Sequence, residues 1–300
     1  NPEQARADWR TAAESGTSQA QRRLASATLD VLPAILTGQR KATDVMFPRG
    51  SLALVEGVYK DNLIAARFSR ILAAAAAEYV AQRVKHTPDV QLRILEIGAG
   101  TGGTSEPVFD ALSTWHAAIG EYCYTDLSRA FLIHAERHYT GRIPGLSTTL
   151  LDIEKPLSGQ AVQPGTYDLV IAANVLHATA DMRTTLAHVR ELLAPGGLLL
   201  LNETSKPTLF THITFGLLEG WWRFTDPALR IPGAPALTQE TWRTLAQDSG
   251  LQWVAGSSVN EQALGQQIMA AQAPADQSAA PVNPLPRPVI STPEPAPVTP

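Results

Sequence analysis

The run Glu96-Ile97-Gly98-Ala99-Gly100-Thr101-Gly102-Gly103 sets a carboxylate two residues before the first of several closely spaced glycines. An apolar stretch, LRILEIG, leads into it, and a helical pattern follows. A tight turn between strand and helix needs glycines wherever backbone must come close to a ligand. Gly98, Gly100 and Gly103 also satisfy G-x-G-x-x-G, the dinucleotide fingerprint. The glycines by themselves therefore leave a nicotinamide cofactor open, and a turn without ligand as well.

Glu96 separates these readings. A carboxylate at the strand tip would oppose a pyrophosphate, whereas it suits the ammonium of a methionine moiety. With Gly102 the pattern becomes E-x-G-x-G-x-G, the form found in S-adenosylmethionine sites. The second apolar run, EYCYTD, ends at Asp126, where an acidic side chain can accept both hydroxyls of a ribose. NAD sites share that feature, so it supports nucleoside binding only. The third run ends in Asp152, placed to bond an adenine amino group, although a solvated loop aspartate fits the position too. Ile153 and Asn174, at the ends of the third and fourth runs, complete the candidate cofactor set.

These residues need a scaffold that presents them on one rim. From Gln91 onward the runs LRILEIG, EYCYTD, LSTTLLD, YDLVIAAN and GLLLLNE alternate with helical segments near 103–113, 128–138 and 180–193. Such alternation, with near-continuous apolar strands, predicts an α/β, Rossmann-like core over residues 91–272, its parallel sheet covered on both faces. After an insertion rich in Phe and Trp, a helix near 239–249 and the strands LQWVAG and LGQQIMAAQ close the domain. Residues 1–90 read as helical, with a Gly-, Pro- and Asn-broken middle that suits a lid over a site. From residue 273 the chain is dominated by Pro, Ala and small polar residues and reads as an interdomain linker, a terminal tail being the plainer alternative. Together with the absence of an initiator Met, that ending suggests a domain cut from a longer polypeptide.

Composition narrows the function classes. A net charge of −4 gives no basic field for a phosphate backbone, so nucleic acid is not the expected substrate. The lone Cys123 excludes an intrachain disulfide framework and fits a reducing cytoplasm. No apolar run reaches the roughly 20 residues of a membrane span, and the first residues hold no signal peptide. The histidines lack metal-ligand spacing, so no metal is expected.

LEIGAGTGGTS, YTDLS with AFL and HAE, IAANVLHAT, LLAPGGLLLLNE and TFGLLEGWW together resemble the methyltransferase domains of modular polyketide synthases. The resemblance runs from about Leu36 to Gln272. ATDVMFPRGSLALVEGVYKDN and RIPGAPALTQETW with LGQQI are most similar to C-methyltransferase domains of trans-acyltransferase assembly lines. The resemblance implies a class I S-adenosylmethionine-dependent methyltransferase fold, a seven-stranded, mostly parallel sheet with its last strand antiparallel, under an N-terminal helical lid. It further implies methyl transfer to the α-carbon of a β-ketoacyl chain, carried on the phosphopantetheine arm of an acyl carrier protein beside other synthase domains. The family's catalytic His–Glu pair matches His177 and Glu203, and by analogy with the family Tyr59 closes the cofactor site from the lid, packing between lid and core being the alternative.

The chemistry agrees with that assignment. His177 lies just past YDLVIAAN and Glu203 ends the next strand, so adjacent strands would place both on the rim of the glycine loop. An α-carbon between a ketone and a thioester needs a base, which His supplies near neutral pH, and a carboxylate fixes its tautomer. Phe215, Trp221 and Trp222 could wall a tunnel for the acyl chain, or simply be core. The same His–Glu pair would serve an alcohol, so O-methylation of a β-hydroxyl or enol oxygen remains open. An NAD(P)-dependent reductase is disfavoured by Glu96 and by the lack of a Tyr-x-x-x-Lys pair, and a non-catalytic docking module by the intact motifs.

Overall fold

Seven strands form one sheet, and each falls on one of the seven apolar runs. In chain order they are β1 (Leu92–Ile97), β2 (Ile119–Asp126), β3 (Leu146–Leu150), β4 (Tyr167–Ala173), β5 (Leu193–Thr204), β6 (Gln252–Gly256) and β7 (Gln266–Gln272). The computed structural model describes residues 19–51, 53–60 and 62–275. The spatial order is β3-β2-β1-β4-β5-β7-β6, with β7 antiparallel to both of its neighbours and the remaining pairs parallel. Order reverses between β1 and β4, and that switch point opens a crevice beyond the strand ends.

Alternation along each strand supplies two cores. Leu92 and Ile94 of β1, with Leu198 and Leu200 of β5, face one side. Leu95 and Ile97, with Leu199 and Leu201, face the other. Residues two apart share a face of a strand, so an apolar run with no polar interruption needs helices on both sides.

Those helices are α1 (Gln19–Leu29), α2 (Leu32–Leu36), α3 (Ala42–Met46), α4 (Ala53–Lys60), α5 (Leu63–His86), α6 (Ser105–Leu112), α7 (Arg129–Tyr139), α8 (Met182–Leu192), α9 (Leu209–Ile213), α10 (Gln239–Asp248) and α11 (Val259–Gln262). The α5 helix starts where Asn62 Oδ1 accepts from the amides of Ile64 and Ala65, and it ends on Arg83, Lys85 and His86, cations that suit the negative end of the helix dipole. Its Leu72, Ala73, Ala76, Tyr79 and Val80 pack into the sheet's first core.

The described residues before β1 thus divide between two packing groups. The α5 helix covers the sheet, whereas Leu24, Met46, Val55 and Val58 from α1, α3 and α4 form a separate small cluster. That cluster is completed by Phe210, Phe215 and Leu218 from the insertion after β5, and Thr28 Oγ1 donates to Ile213 O at 2.7 Å. The cap is therefore tied to the aromatic insertion. Of the Pro-rich stretch only residues 273–275 are described, running on from β7 with Ala273 N bonded to Gly197 O. The linker expected beyond them lies outside the described residues. Among the described residues no helix is long and apolar enough to cross a membrane.

Candidate active site

Each glycine of the loop after β1 answers a different constraint. Gly98, Gly100 and Gly102 all hold positive φ, 60°, 60° and 80°. A Cβ on Gly98 would overlap Val175, and one on Gly102 would overlap the Tyr139 ring. Only Gly100 has open space on that side, its nearest neighbour being Gly98 O at 3.9 Å. Gly98 and Gly102 are thus fixed by packing as well as by φ, and Gly100 by its positive φ, with open space beside it. Gly102, also expected at the cofactor site, lies between Thr101 and Gly103, which line the cavity beside the loop.

Three tyrosines hold the loop in place. Tyr124 Oη donates to Gly100 O at 2.8 Å, and Tyr139 Oη lies 2.9 Å from Thr101 O and 2.8 Å from Glu106 Oε1. Tyr122 Oη and Ser105 Oγ both donate to Glu96 Oε2 at 2.6 Å. Asp126 accepts from Gly100 N at 3.0 Å through Oδ2 and from Ser128 N at 2.7 Å through Oδ1, so the end of β2 is stitched to the end of β1.

Above this loop lies a cavity of about 350 Å³. Glu96, Gly98, Gly100, Asp126, Asp152, Ile153 and Asn174 line it. Phe47 and Val55 reach it from the cap, and Ala65 and Ser69 from α5. Asp152 lies two residues past β3, and its carboxylate is engaged by Lys155 Nζ at 2.9 Å. Asn174 has φ 51°, rare for a residue with a side chain, and its amide pairs with that of Gln266 at 3.1 Å. Tyr59 falls on α4, and its side chain lies outside what is described.

Beside the glycine loop, β4 leads into a short turn, Leu176–Ala178, that carries His177, and Val175, Ala178 and Thr179 line the same cavity. His177 Nδ1 lies 2.5 Å from Glu203 Oε2, and both side chains are buried. Glu203 Oε1 accepts from Leu176 N at 2.9 Å and from Val175 N at 3.2 Å. One carboxylate oxygen therefore fixes the turn and the other fixes the ring. With Nδ1–H donated to the carboxylate, Nε2 keeps the free lone pair. Trp221 meets the imidazole edge-on at 5.7 Å, and Phe215 stacks on Trp221 while also lining the cavity. Trp222 stands apart from this group, 48% exposed and stacked on His212.

A family profile described as a methyltransferase domain matches residues 95–199. Polyketide synthase PksM of Bacillus subtilis is 50% identical over 248 residues, 83% of this chain and 6% of the relative. The DszA carbon methyltransferase crystal structure superposes with TM-score 0.83 and 34% identity, covering 91% of this chain and 70% of that one. The chain belongs to the methyltransferase domains of polyketide synthases. This methyltransferase domain spans only a small part of curated relatives such as PksM. Trans-methyltransferase CalH, solved in complex with SAH, is 31% identical with TM-score 0.67, over 82% of this chain and 66% of that one.

Several residues of the methyltransferase site escaped the sequence reading. Arg230, its side chain 1% exposed, donates through Nη1 to His177 O and Pro235 O, both 2.8 Å away. Its Nη2 reaches Thr179 O at 2.9 Å, and Asp226 takes Nε at 2.6 Å. Glu154 Oε1 accepts from Ala180 N at 2.6 Å and pairs with Arg223 at 3.6 Å. Both residues lash the insertion after β5 to the histidine turn. RIPGAPAL stands out in the sequence as a family signature, but nothing in it says that its arginine closes on a backbone fifty residues away.

Glu96 carries a testable electrostatic signature. Burial above all raises its pKa from 4.5 to about 7, against the lowering effect of the hydrogen bonds from Ser105 and Tyr122. A buried acid with a raised pKa contributes stability that is complete below its unfolded value and is lost as pH rises through its folded value. That window, about pH 4.5 to 7, corresponds to roughly 3 kcal/mol. Glu96→Gln keeps a carbonyl oxygen for both hydroxyls. Its melting temperature is expected to fall less than that of the wild type between pH 5 and 8; parallel curves would show that Glu96 ionises in the folded chain as it does in the unfolded one.

Proposed function

We propose that this domain transfers a methyl group from S-adenosylmethionine to the α-carbon of a β-ketoacyl chain on the phosphopantetheine arm of an acyl carrier protein. The observation that carries this reading is the buried His177–Glu203 pair, set at the ends of β4 and β5 beside the cavity that the glycine loop closes. An imidazole whose Nδ1 is committed to a carboxylate presents Nε2 as a base, and a carbon acid needs one.

The cavity suits the cofactor. Gly100 leaves backbone exposed to a ligand, Asp126 keeps lone pairs for ribose hydroxyls, and Leu127, Phe131 and Ile153 offer apolar surface to an adenine. Asp152 would meet the adenine amino group, Asn174 would line the bend of the cofactor, and the unshared oxygen of Glu96 would take the methionine ammonium. When bound, S-adenosylmethionine supplies an electrophilic methyl group on a sulfonium. His177 removes the α-proton, Glu203 stabilises the resulting imidazolium, and Trp221 with Phe215 shields the site from water. The helices before residue 60, including Tyr59, act as a lid over the cofactor, and residues from 273 onward tether the domain to its neighbours.

The test uses carrier proteins loaded with a β-ketoacyl or a β-hydroxyacyl chain, with products read by intact mass spectrometry. A one-methyl gain confined to the β-keto substrate, with loss of one exchangeable α-hydrogen, is the expected result. A gain confined to the β-hydroxy substrate would move the assignment to O-methylation.

A further inference from the structure

Between Leu36 and Ser51 the cap presents a surface of its own character. Leu36 is 71% exposed, and every residue from Thr37 to Lys41 and from Pro48 to Ser51 is exposed as well. The stretch carries three cations, Arg40, Lys41 and Arg49, against one carboxylate, Asp44. None of the three cations has an ion-pair partner among the described residues. Over residues 19–70 eight Lys and Arg outnumber four Asp and Glu, whereas the whole chain carries a net charge of −4. The cap is thus a positive part of an otherwise negative domain, and it suits an acidic partner.

Arg49 adds an observation of another kind. Its φ of 55° and ψ of 29° lie in the left-handed region, where a side chain costs energy that glycine would avoid. An exposed arginine with no partner does nothing for the fold there that glycine would not do better. What the position gains is the charge.

Position ties this surface to the path of the acyl chain. Lys41 immediately precedes α3 and Arg49 lies three residues beyond its end, and the five helical residues between them span only about 8 Å. Phe47, in the same stretch, lines the cavity and packs with Phe215 in the cap cluster. Phe215 in turn stacks on Trp221, which meets His177. The cations therefore border the apolar wall that leads to the base.

We infer that this surface docks the acyl carrier protein, an inference resting on the function proposed above. Acidic side chains of the carrier meet Arg40, Lys41 and Arg49, and an apolar one covers Leu36. Charges of this kind speed encounter and fix orientation, while the chemistry stays with His177.

Steady-state kinetics would compare the wild type with Arg40→Glu/Lys41→Glu and with Arg49→Gly. One β-ketoacyl group is presented on three acceptors: the carrier protein, free phosphopantetheine and N-acetylcysteamine. On the carrier protein, kcat/KM is expected to fall about tenfold in the double variant, chiefly through KM, and about threefold in Arg49→Gly. Both small thioesters should react as they do with the wild type. Added salt should lower wild-type kcat/KM on the carrier protein and have less effect in the double variant. Arg49→Gly should melt no lower than the wild type, because glycine adopts that φ freely, and this separates docking from folding. Wild-type kcat/KM on the carrier protein in either folded variant would overturn the inference. An equal loss on all three acceptors would overturn it too, by showing that the cap shapes the active site instead. So would a loss shared by the carrier protein and free phosphopantetheine alone, which would put the arm's phosphate on these cations in place of the carrier's surface. A wild-type domain that methylates none of the three would instead defeat the underlying proposal.

Discussion

Replacing His177 by alanine is expected to lower methyl transfer by about 10²–10⁴-fold while S-adenosylmethionine affinity stays within about twofold. The separation follows from geometry. The ring is held by Glu203 at 2.5 Å and faced by Trp221, whereas the residues assigned to the cofactor line the cavity beside it. Single-turnover rates and calorimetry on one preparation would check it, and lost cofactor affinity in the variant would remove His177 from its assigned role. Glu203→Gln is the sharper companion. A glutamine keeps an oxygen for the amides of Val175 and Leu176, so the turn survives. Its NH₂ group would face Nδ1, however, and force the proton onto Nε2. The imidazole would then be present, well placed and unable to accept a proton, so a loss nearly as large as that of His177→Ala is expected. Activity near that of the wild type would mean that the tautomer does not matter.

Much of this site was legible because strand ends are legible. An unbroken apolar run such as YDLVIAA followed by a polar residue marks where a strand leaves the core, and in a parallel sheet those ends share one rim. Glu96, Asp126, Asn174 and Glu203 were placed in that way, and the structure brings the first three to one cavity and the fourth to His177. The meaning of individual side chains was less legible. Gly102 fits a cofactor motif, yet its missing Cβ makes room for Tyr139, which is thirty-seven residues away in sequence. Trp221 and Trp222 are neighbours of one type, and only one of them meets the histidine. In a stretch of short 3₁₀ turns no helical or strand period tells which side chain points inward. The α5 helix posed the converse difficulty. Its alanine run reads as a generic helix, and its place on the sheet depends on tertiary packing that periodicity cannot reveal.

Arg230→Met is expected to destabilise the fold by about 3–5 kcal/mol, the usual cost of breaking a buried ion pair from one side. The guanidinium has all its donors engaged, by Asp226, His177 O, Thr179 O and Pro235 O. Removing it strands the Asp226 carboxylate, 9% exposed, and leaves three carbonyls without a partner. Asp226 Oδ2 also accepts from Met182 N at 2.8 Å, at the start of α8, so the effect should spread to that helix. Adding Asp226→Asn to Arg230→Met is expected to recover part of the loss, because a neutral amide still accepts from Met182 N and carries no stranded charge. Urea unfolding of the two single variants and the double would check this, and strict additivity of the two losses would show that the pair acts as two independent residues. The consequence for chemistry follows from the same bonds. His177 is held through its ring by Glu203 and through its carbonyl by Arg230, and only the second hold depends on the insertion after β5. If that insertion shifts when an acyl chain enters, the base shifts with it. The Arg230→Met domain should then lose kcat on the carrier-bound substrate even where it remains folded and binds S-adenosylhomocysteine normally.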